Sequence, residues 1–70
     1  MMPLTLAELG EENMIRHIGG KPDVRQHLET LGFVVGGSVT LISKIGGNVI
    51  VNVQESRVAI SEEMASKIMV

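Results

Sequence analysis

Cysteine, tryptophan and tyrosine are absent from this 70-residue sequence, and Phe33 is its single aromatic residue. Without cysteine the chain has neither disulfides nor thiolate metal ligands, which fits a reducing compartment such as the cytoplasm. One ring cannot line the aromatic groove with which SH3 modules bind polyproline, nor stack the bases of a single-stranded nucleic acid. The net charge of -2 gives no basic patch for phosphates, so we expect no nucleic-acid partner.

Long hydrophobic runs are absent as well. No segment approaches the length of a membrane span, and the beginning, MMPLTLAELGEEN, lacks the basic and apolar regions of a signal peptide. We therefore expect a cytoplasmic protein with no direct membrane insertion. The sequence also has no HExxH, no nucleophile elbow and no phosphate-binding loop, so we expect neither an enzyme nor a resident cofactor.

Glycines divide the chain at intervals of about ten residues, the spacing of short strands joined by tight turns. The sequence has no internal repeat and no linker, so residues 1–70 are predicted to form a single domain. Four glycines are assigned to structural turns: Gly32, Gly36, Gly46 and Gly47.

One segment has the period of a helix. Val24, Leu28 and Leu31 follow the i, i+4, i+7 spacing of an apolar stripe. Pro22 suits the first helical position, and Gly32 suits a residue of positive φ that ends the helix. A short helix over 23–31 is therefore predicted.

Other segments have the period of strands. The inward residues predicted for them are Met14 and Ile18 in one strand over 11–18, then Val39 and Leu41, then Val49, Val51 and Val53, and finally Val58 and Ile60. The pair Gly46-Gly47 predicts a tight hairpin, and Ser61 a helix N-cap before a final edge strand. We expect a mostly β fold with a short inserted α-helix, forming a small closed or nearly closed barrel of about five strands.

Apolar residues left over from this core indicate a surface for a protein partner. Phe33, Val34 and Val35 lie in the turn after the helix, where Phe33 is expected to anchor the helix on the barrel. The predicted contact surface consists of Arg25, Leu28, Glu29, Phe33, Val34 and Val35. Candidate ligands for weak transition-metal binding are His17, Asp23 and His27.

The stretch VRQHLETLGFVVGGSVTLI, with RVAISEEMASKIMV at the end, resembles the FeoA family of ferrous iron transport accessory proteins. The matching positions are Leu28, Leu31, Gly32, Phe33, Gly36 and Val39, then Ala65, Ile68 and Val70. LAEL near the beginning matches the usual family start. The resemblance implies an SH3-like β-barrel with an inserted helix. It also implies a role beside FeoB, the membrane-bound ferrous iron transporter with a cytosolic GTP-binding domain.

The sequence departs from the family at two turns. IGGN stands where many members have a longer turn containing Pro-Leu-Gly-Asp-Pro, and Gly10 alone stands where Pro-Gly is common. Two alternatives remain open at this point. One is the SH3-like module of an iron-dependent transcriptional repressor, against which a free-standing 70-residue chain without a winged-helix segment argues. The other is a small iron carrier that uses the two histidines. Homo-oligomer formation also stays open.

Overall fold

A computed structural model describes all 70 residues, with six short strands and two helices. A 3₁₀ turn, Leu4–Leu6, precedes them. In chain order the elements are β1 (Glu12–Met14), β2 (His17–Ile18), α1 (Pro22–Thr30), β3 (Ser38–Ile45), β4 (Asn48–Val53), β5 (Ser56–Ser61), α2 (Glu62–Ala65) and β6 (Ile68–Met69). Neither helix has the length and hydrophobicity that crossing a bilayer requires.

The strands form two antiparallel sheets. One has four strands in the order β1-β3-β4-β5, and the other pairs β2 with β6. The predicted mostly β fold with a short inserted helix is confirmed, but the two sheets do not close into a barrel. The reason lies in α2, which separates β5 from β6, so that β5 pairs with β4 alone and β6 joins the other sheet.

The core is entirely hydrophobic. Fifteen residues are buried, and none of them is polar or charged. They are Leu4, Ala7, Ile15, Ile18, Leu28, Phe33, Val39, Leu41, Val49, Val51, Val53, Ile60, Ala65, Ile68 and Val70. The predicted inward rows of β3 and β4 are confirmed. The period-two pattern placed them correctly because a slip of one residue would expose the whole valine row.

The first strand differs from its prediction. Met14, predicted to point inward, is 49% exposed, whereas its neighbour Ile15 is fully buried. The chain bends after β1 instead of continuing as one strand to Ile18. Ile15 exchanges backbone hydrogen bonds with Gly36 and Gly37, each with an N–O distance of 2.8 Å. This bend shifts the alternation by one residue and turns Ile15 into the core.

Two hairpins of different types connect β3, β4 and β5. At Gly46-Gly47 only Gly46 has a positive φ, 59°, as the first position of a type II′ turn requires. The second turn has no glycine, yet Gln54 and Glu55 both have positive φ, at 49° and 64°. This is the backbone of a type I′ turn, which the sequence signals only when Asn, Asp or Gly is present.

The end of the chain follows its prediction in the Ser61 cap and in a final strand, but the prediction of an edge strand is wrong. The Ser61 hydroxyl accepts a hydrogen bond from the Met64 amide at 3.1 Å and caps α2. β6 pairs with β2, but it is not an edge. On its other side Met2 and Val70 exchange two backbone hydrogen bonds of 2.8 Å. The chain start therefore covers β6.

Substitutions at the two adjacent positions Ile15 and Met14 test the bend. Ile15→Ala should lower the free energy of unfolding by about 3 kcal/mol, since it deletes a fully buried side chain. Met14→Ala should change it by less than about 0.5 kcal/mol, because that side chain is half exposed. Urea denaturation followed by circular dichroism measures both. A larger loss of stability for Met14→Ala than for Ile15→Ala would contradict the bend and support one continuous strand over 11–18.

Candidate protein-binding groove

A shallow groove of about 370 Å³ lies where β2, α1 and the turn after α1 meet. Half of its lining is hydrophobic. The lining residues are His17, Ile18, Arg25, Glu29, Val34 and Val35. Four of them belong to the contact surface predicted from the sequence, so the fold brings together residues from the helix and from the turn.

Helix α1 supplies the charged wall of the groove. Arg25 and Glu29 are one helical turn apart and therefore lie on the same face. Leu28 lies on another face and is fully buried, with Val24 and Leu31 half-buried beside the core. The predicted apolar stripe is confirmed. For the same reason Leu28 was wrongly included in the contact surface, since a side chain with no exposed area cannot contact a partner.

The end of α1 determines where the next residues go. Gly32 has a φ of 109°, which confirms the predicted positive value. The Gly32 amide donates to the Glu29 carbonyl and the Phe33 amide to the Leu28 carbonyl, both at 3.0 Å. These two bonds define a Schellman motif, in which the residue after the glycine packs on the last turn of the helix.

Phe33 completes that motif with its side chain. It is the largest fully buried side chain, and Leu28, its expected partner in the motif, is fully buried too. The prediction that Phe33 anchors the helix on the core agrees with this placement. Phe33 is therefore excluded as a direct contact residue, and only the residues that follow it reach the surface.

Val34 and Val35 form the apolar side of the groove. Val34 is 38% exposed and Val35 is 64% exposed. They begin a turn that the Gly37 amide closes by donating to the Val34 carbonyl at 3.0 Å. Gly36 has a φ of 90°, as the third residue of a type II turn requires. Hydrogen bonds to Ile15 hold this turn, so both valines are fixed in place without being buried.

Sequence reasoning missed Ile18 as a groove residue and assigned His17 only to a metal. Both reach the groove because β2 lies beside α1, and no local pattern reports that proximity. The metal candidates Asp23 and His27 are not among the lining residues. No group of three or more His, Asp or Glu side chains that could hold a metal comes together.

A second depression, of about 420 Å³, lies on the outer face of the four-stranded sheet. Its lining is polar apart from one valine: Glu12, Ser38, Thr40, Asn52, Val53, Gln54 and Glu55. Val53 is buried, so this depression offers no exposed apolar side chain to a partner. The groove beside Val34 and Val35 is therefore the better candidate for protein binding.

A glycine-to-alanine pair tests the helix end that shapes the groove. Gly32→Ala should lower the free energy of unfolding by about 1 kcal/mol, because alanine disfavours positive φ. Gly47→Ala is the control. The φ of Gly47 is not positive, and a Cβ added there would meet no atom within 4 Å, so the denaturation midpoint should change little. Equal midpoints for the two variants would contradict the left-handed helix end.

The histidines are tested by anaerobic titration with Fe(II) and with Zn(II). Transition-metal sites in proteins use three or four protein ligands, and no such group forms around either histidine. We therefore expect the His17→Ala, His27→Ala double variant to bind both ions as the wild type does. Loss of a stoichiometric, tight isotherm in the double variant would instead support an iron carrier.

Comparison with known proteins identifies the family. The family model described as the FeoA domain matches residues 2–70. A protein of Methanocaldococcus jannaschii that carries the name Fe(2+) transport protein A is 34% identical over 70 residues, covering 100% of this chain and 85% of the relative.

Solved structures agree with this match. A crystal structure named as the iron uptake regulatory protein FeoA has a TM-score of 0.87 at 26% identity, covering 97% of this chain and 90% of that one. The solution structure of FeoA from Chlorobium tepidum, at 23% identity, shows the same fold with a TM-score of 0.88 over 97% of this chain and 67% of that one. The chain belongs to the FeoA family.

Proposed function

We propose that this chain binds the cytosolic region of an FeoB-type membrane GTPase transporter through the Val34–Val35 groove and thereby modulates ferrous iron uptake. Membership of the FeoA family supports the general role, that of an accessory protein of Fe(2+) transport. The observation that carries the specific role is the groove itself. Residues from three separate elements converge there around two exposed valines.

The composition of the groove suits a protein partner. Protein interfaces combine an apolar centre, which supplies most of the binding energy, with a polar rim that fixes orientation. Val34 and Val35 form the exposed apolar part above the buried Ile18, while Arg25 and Glu29 supply one charge of each sign. Covering an exposed valine releases about 25 cal/mol for each Å² of apolar surface removed from water.

The rigidity of the turn supports the same proposal. Val34 and Val35 are fixed by the buried Phe33 on one side and by the hydrogen bonds of Gly36 and Gly37 to Ile15 on the other. A surface that is already ordered loses little conformational entropy when a partner binds. The two valines are therefore ready to make contact without rearrangement of the core.

The proposed role is one of binding and not of catalysis, and it takes place in the cytoplasm. GTP hydrolysis would belong to the transporter, whose cytosolic domain binds the nucleotide. This chain would act on that domain by contact alone.

The proposal is tested by calorimetric titration of the chain into the transporter's purified cytosolic region. The Val34→Ser, Val35→Ser double variant should bind at least about tenfold more weakly, because it replaces the apolar centre of the groove by hydroxyls. Neither position contributes to the buried core, so thermal unfolding should show that the fold is retained.

Ile45→Ser is the matched control. Ile45 is also a β-branched apolar residue and is 62% exposed, but it lies outside the groove. Its substitution should leave the affinity unchanged. An unchanged affinity for the valine double variant, or an equal loss for Ile45→Ser, would show that the groove is not the contact surface.

A further inference from the structure

Strand β5 forms an open edge of the four-stranded sheet. It pairs with β4 along all six residues, without a bulge, and with no other strand. On the opposite side of the sheet, β1 pairs with Ser38–Thr40 of β3, and the chain start contacts the remainder of β3. The Gly10 amide donates to the Leu41 carbonyl at 2.8 Å, and the Lys44 Nζ donates to the Thr5 carbonyl at 2.6 Å. The Ser61 carbonyl, at the N-cap of α2, accepts the first hydrogen bond of that helix.

The turn between β4 and β5 determines which backbone groups of β5 point outward. In a two-residue hairpin the closing pair, here Val53 and Ser56, is hydrogen-bonded, and every second pair after it is bonded too. The Glu62 amide continues this alternation by donating to the Gly47 carbonyl at 2.9 Å. The amides of Arg57, Ala59 and Ser61 therefore face away from β4, and so do the carbonyls of Arg57 and Ala59, whereas the Ser61 carbonyl is used by α2.

This edge lacks most of the devices by which proteins protect an edge strand. Short length, proline, lysine and bulges all prevent pairing with another chain. β5 has six residues and an unbroken register, it contains no proline or lysine, and its one charged residue is Arg57. Ala59 is exposed and small at the middle of the edge. The edge can therefore receive a further strand.

We propose that β5 pairs antiparallel with β5 of a second copy of this chain, with Ala59 opposite Ala59. In that register Arg57 lies opposite Ser61 of the second copy. The residues whose backbone groups face away from β4 therefore pair with one another. The two edges can then form about four backbone hydrogen bonds, two between the Ala59 residues and one from each Ser61 amide to the Arg57 carbonyl of the other copy. On the inner face, Val58 meets Ile60, so the apolar rows of both sheets continue across the symmetry axis.

Charge complementarity favours a second copy in this register. Pairing Arg57 with Arg57 would place like charges opposite each other. With Ala59 at the axis, Arg57 instead lies opposite Ser61 of the second copy, which directly precedes the exposed Glu62 and Glu63 of α2. The long arginine side chain can therefore approach these carboxylates. The attraction occurs twice, once on each side of the axis.

The pairing is closed and separate from the groove. Because each copy uses the same strand, the interface is twofold symmetric and association stops at the dimer. None of the groove residues belongs to β5, so the dimer does not depend on the proposed function. The Val34→Ser, Val35→Ser variant should therefore dimerise as the wild type does.

Sedimentation velocity of the full chain, from micromolar to millimolar concentration, tests the pairing. The wild type should show a concentration-dependent equilibrium between monomer and dimer. Ala59→Pro should weaken the dimer at least about tenfold, because it removes two outward amide bonds, one from each copy. Ala59→Thr keeps the amide and is the matched control. If Ala59→Pro fails to fold, Ala59→Lys serves instead, since it opposes two positive charges at the axis.

A charge exchange tests the register. Arg57→Glu and Glu63→Arg should each weaken the dimer, and the double variant should regain most of the lost affinity. A chain that stays monomeric at millimolar concentration overturns the proposal. A dimer that survives both Ala59→Pro and Ala59→Lys also overturns it, as does a charge-exchange double variant that regains no affinity. Association beyond the dimer, or pairing of β5 only with a strand of another protein, overturns it as well.

Discussion

The hydrogen bond from the Phe33 amide to the Leu28 carbonyl, together with the burial of both side chains, is the constraint on which the rest of this structure depends. It ends α1, because Gly32 can take the positive φ that the motif demands. It also places the only aromatic ring of the chain in the core. With the ring fixed inward, the next residues must leave the core, and Val34 and Val35 come to the surface.

Ile15 connects this helix end to both sheets. Its hydrogen bonds to Gly36 and Gly37 join the turn after α1 to the bend between β1 and β2. On one side of the bend the chain pairs with β3, and on the other it pairs with β6. The groove lies at this junction. Its shape therefore depends on a buried isoleucine and a buried phenylalanine, although neither is a groove residue.

The fold leaves two surfaces of different chemistry. The groove offers side chains, two of them exposed valines beside one charge of each sign, and suits a partner recognised by side-chain contacts. The β5 edge offers backbone amides and carbonyls, and suits a partner that supplies a strand. Closure of the barrel would have removed that edge. The separation of β5 from β6 by α2 therefore has a consequence for assembly as well as for architecture.

Local patterns in the sequence determined the helix and its glycine end, the valine rows of β3 and β4, and the Ser61 cap, because each depends on residues within a few positions of one another. Long-range pairing decided the rest. Ile15, and not Met14, lies in the core because the segment pairs with β3 before the bend and with β6 after it. His17 lines the groove because β2 lies beside α1. The Gln54–Glu55 turn was decided by the register of its flanking strands, which holds two residues at positive φ without the help of glycine. These outcomes depend on contacts between segments far apart in the chain, which no local period encodes.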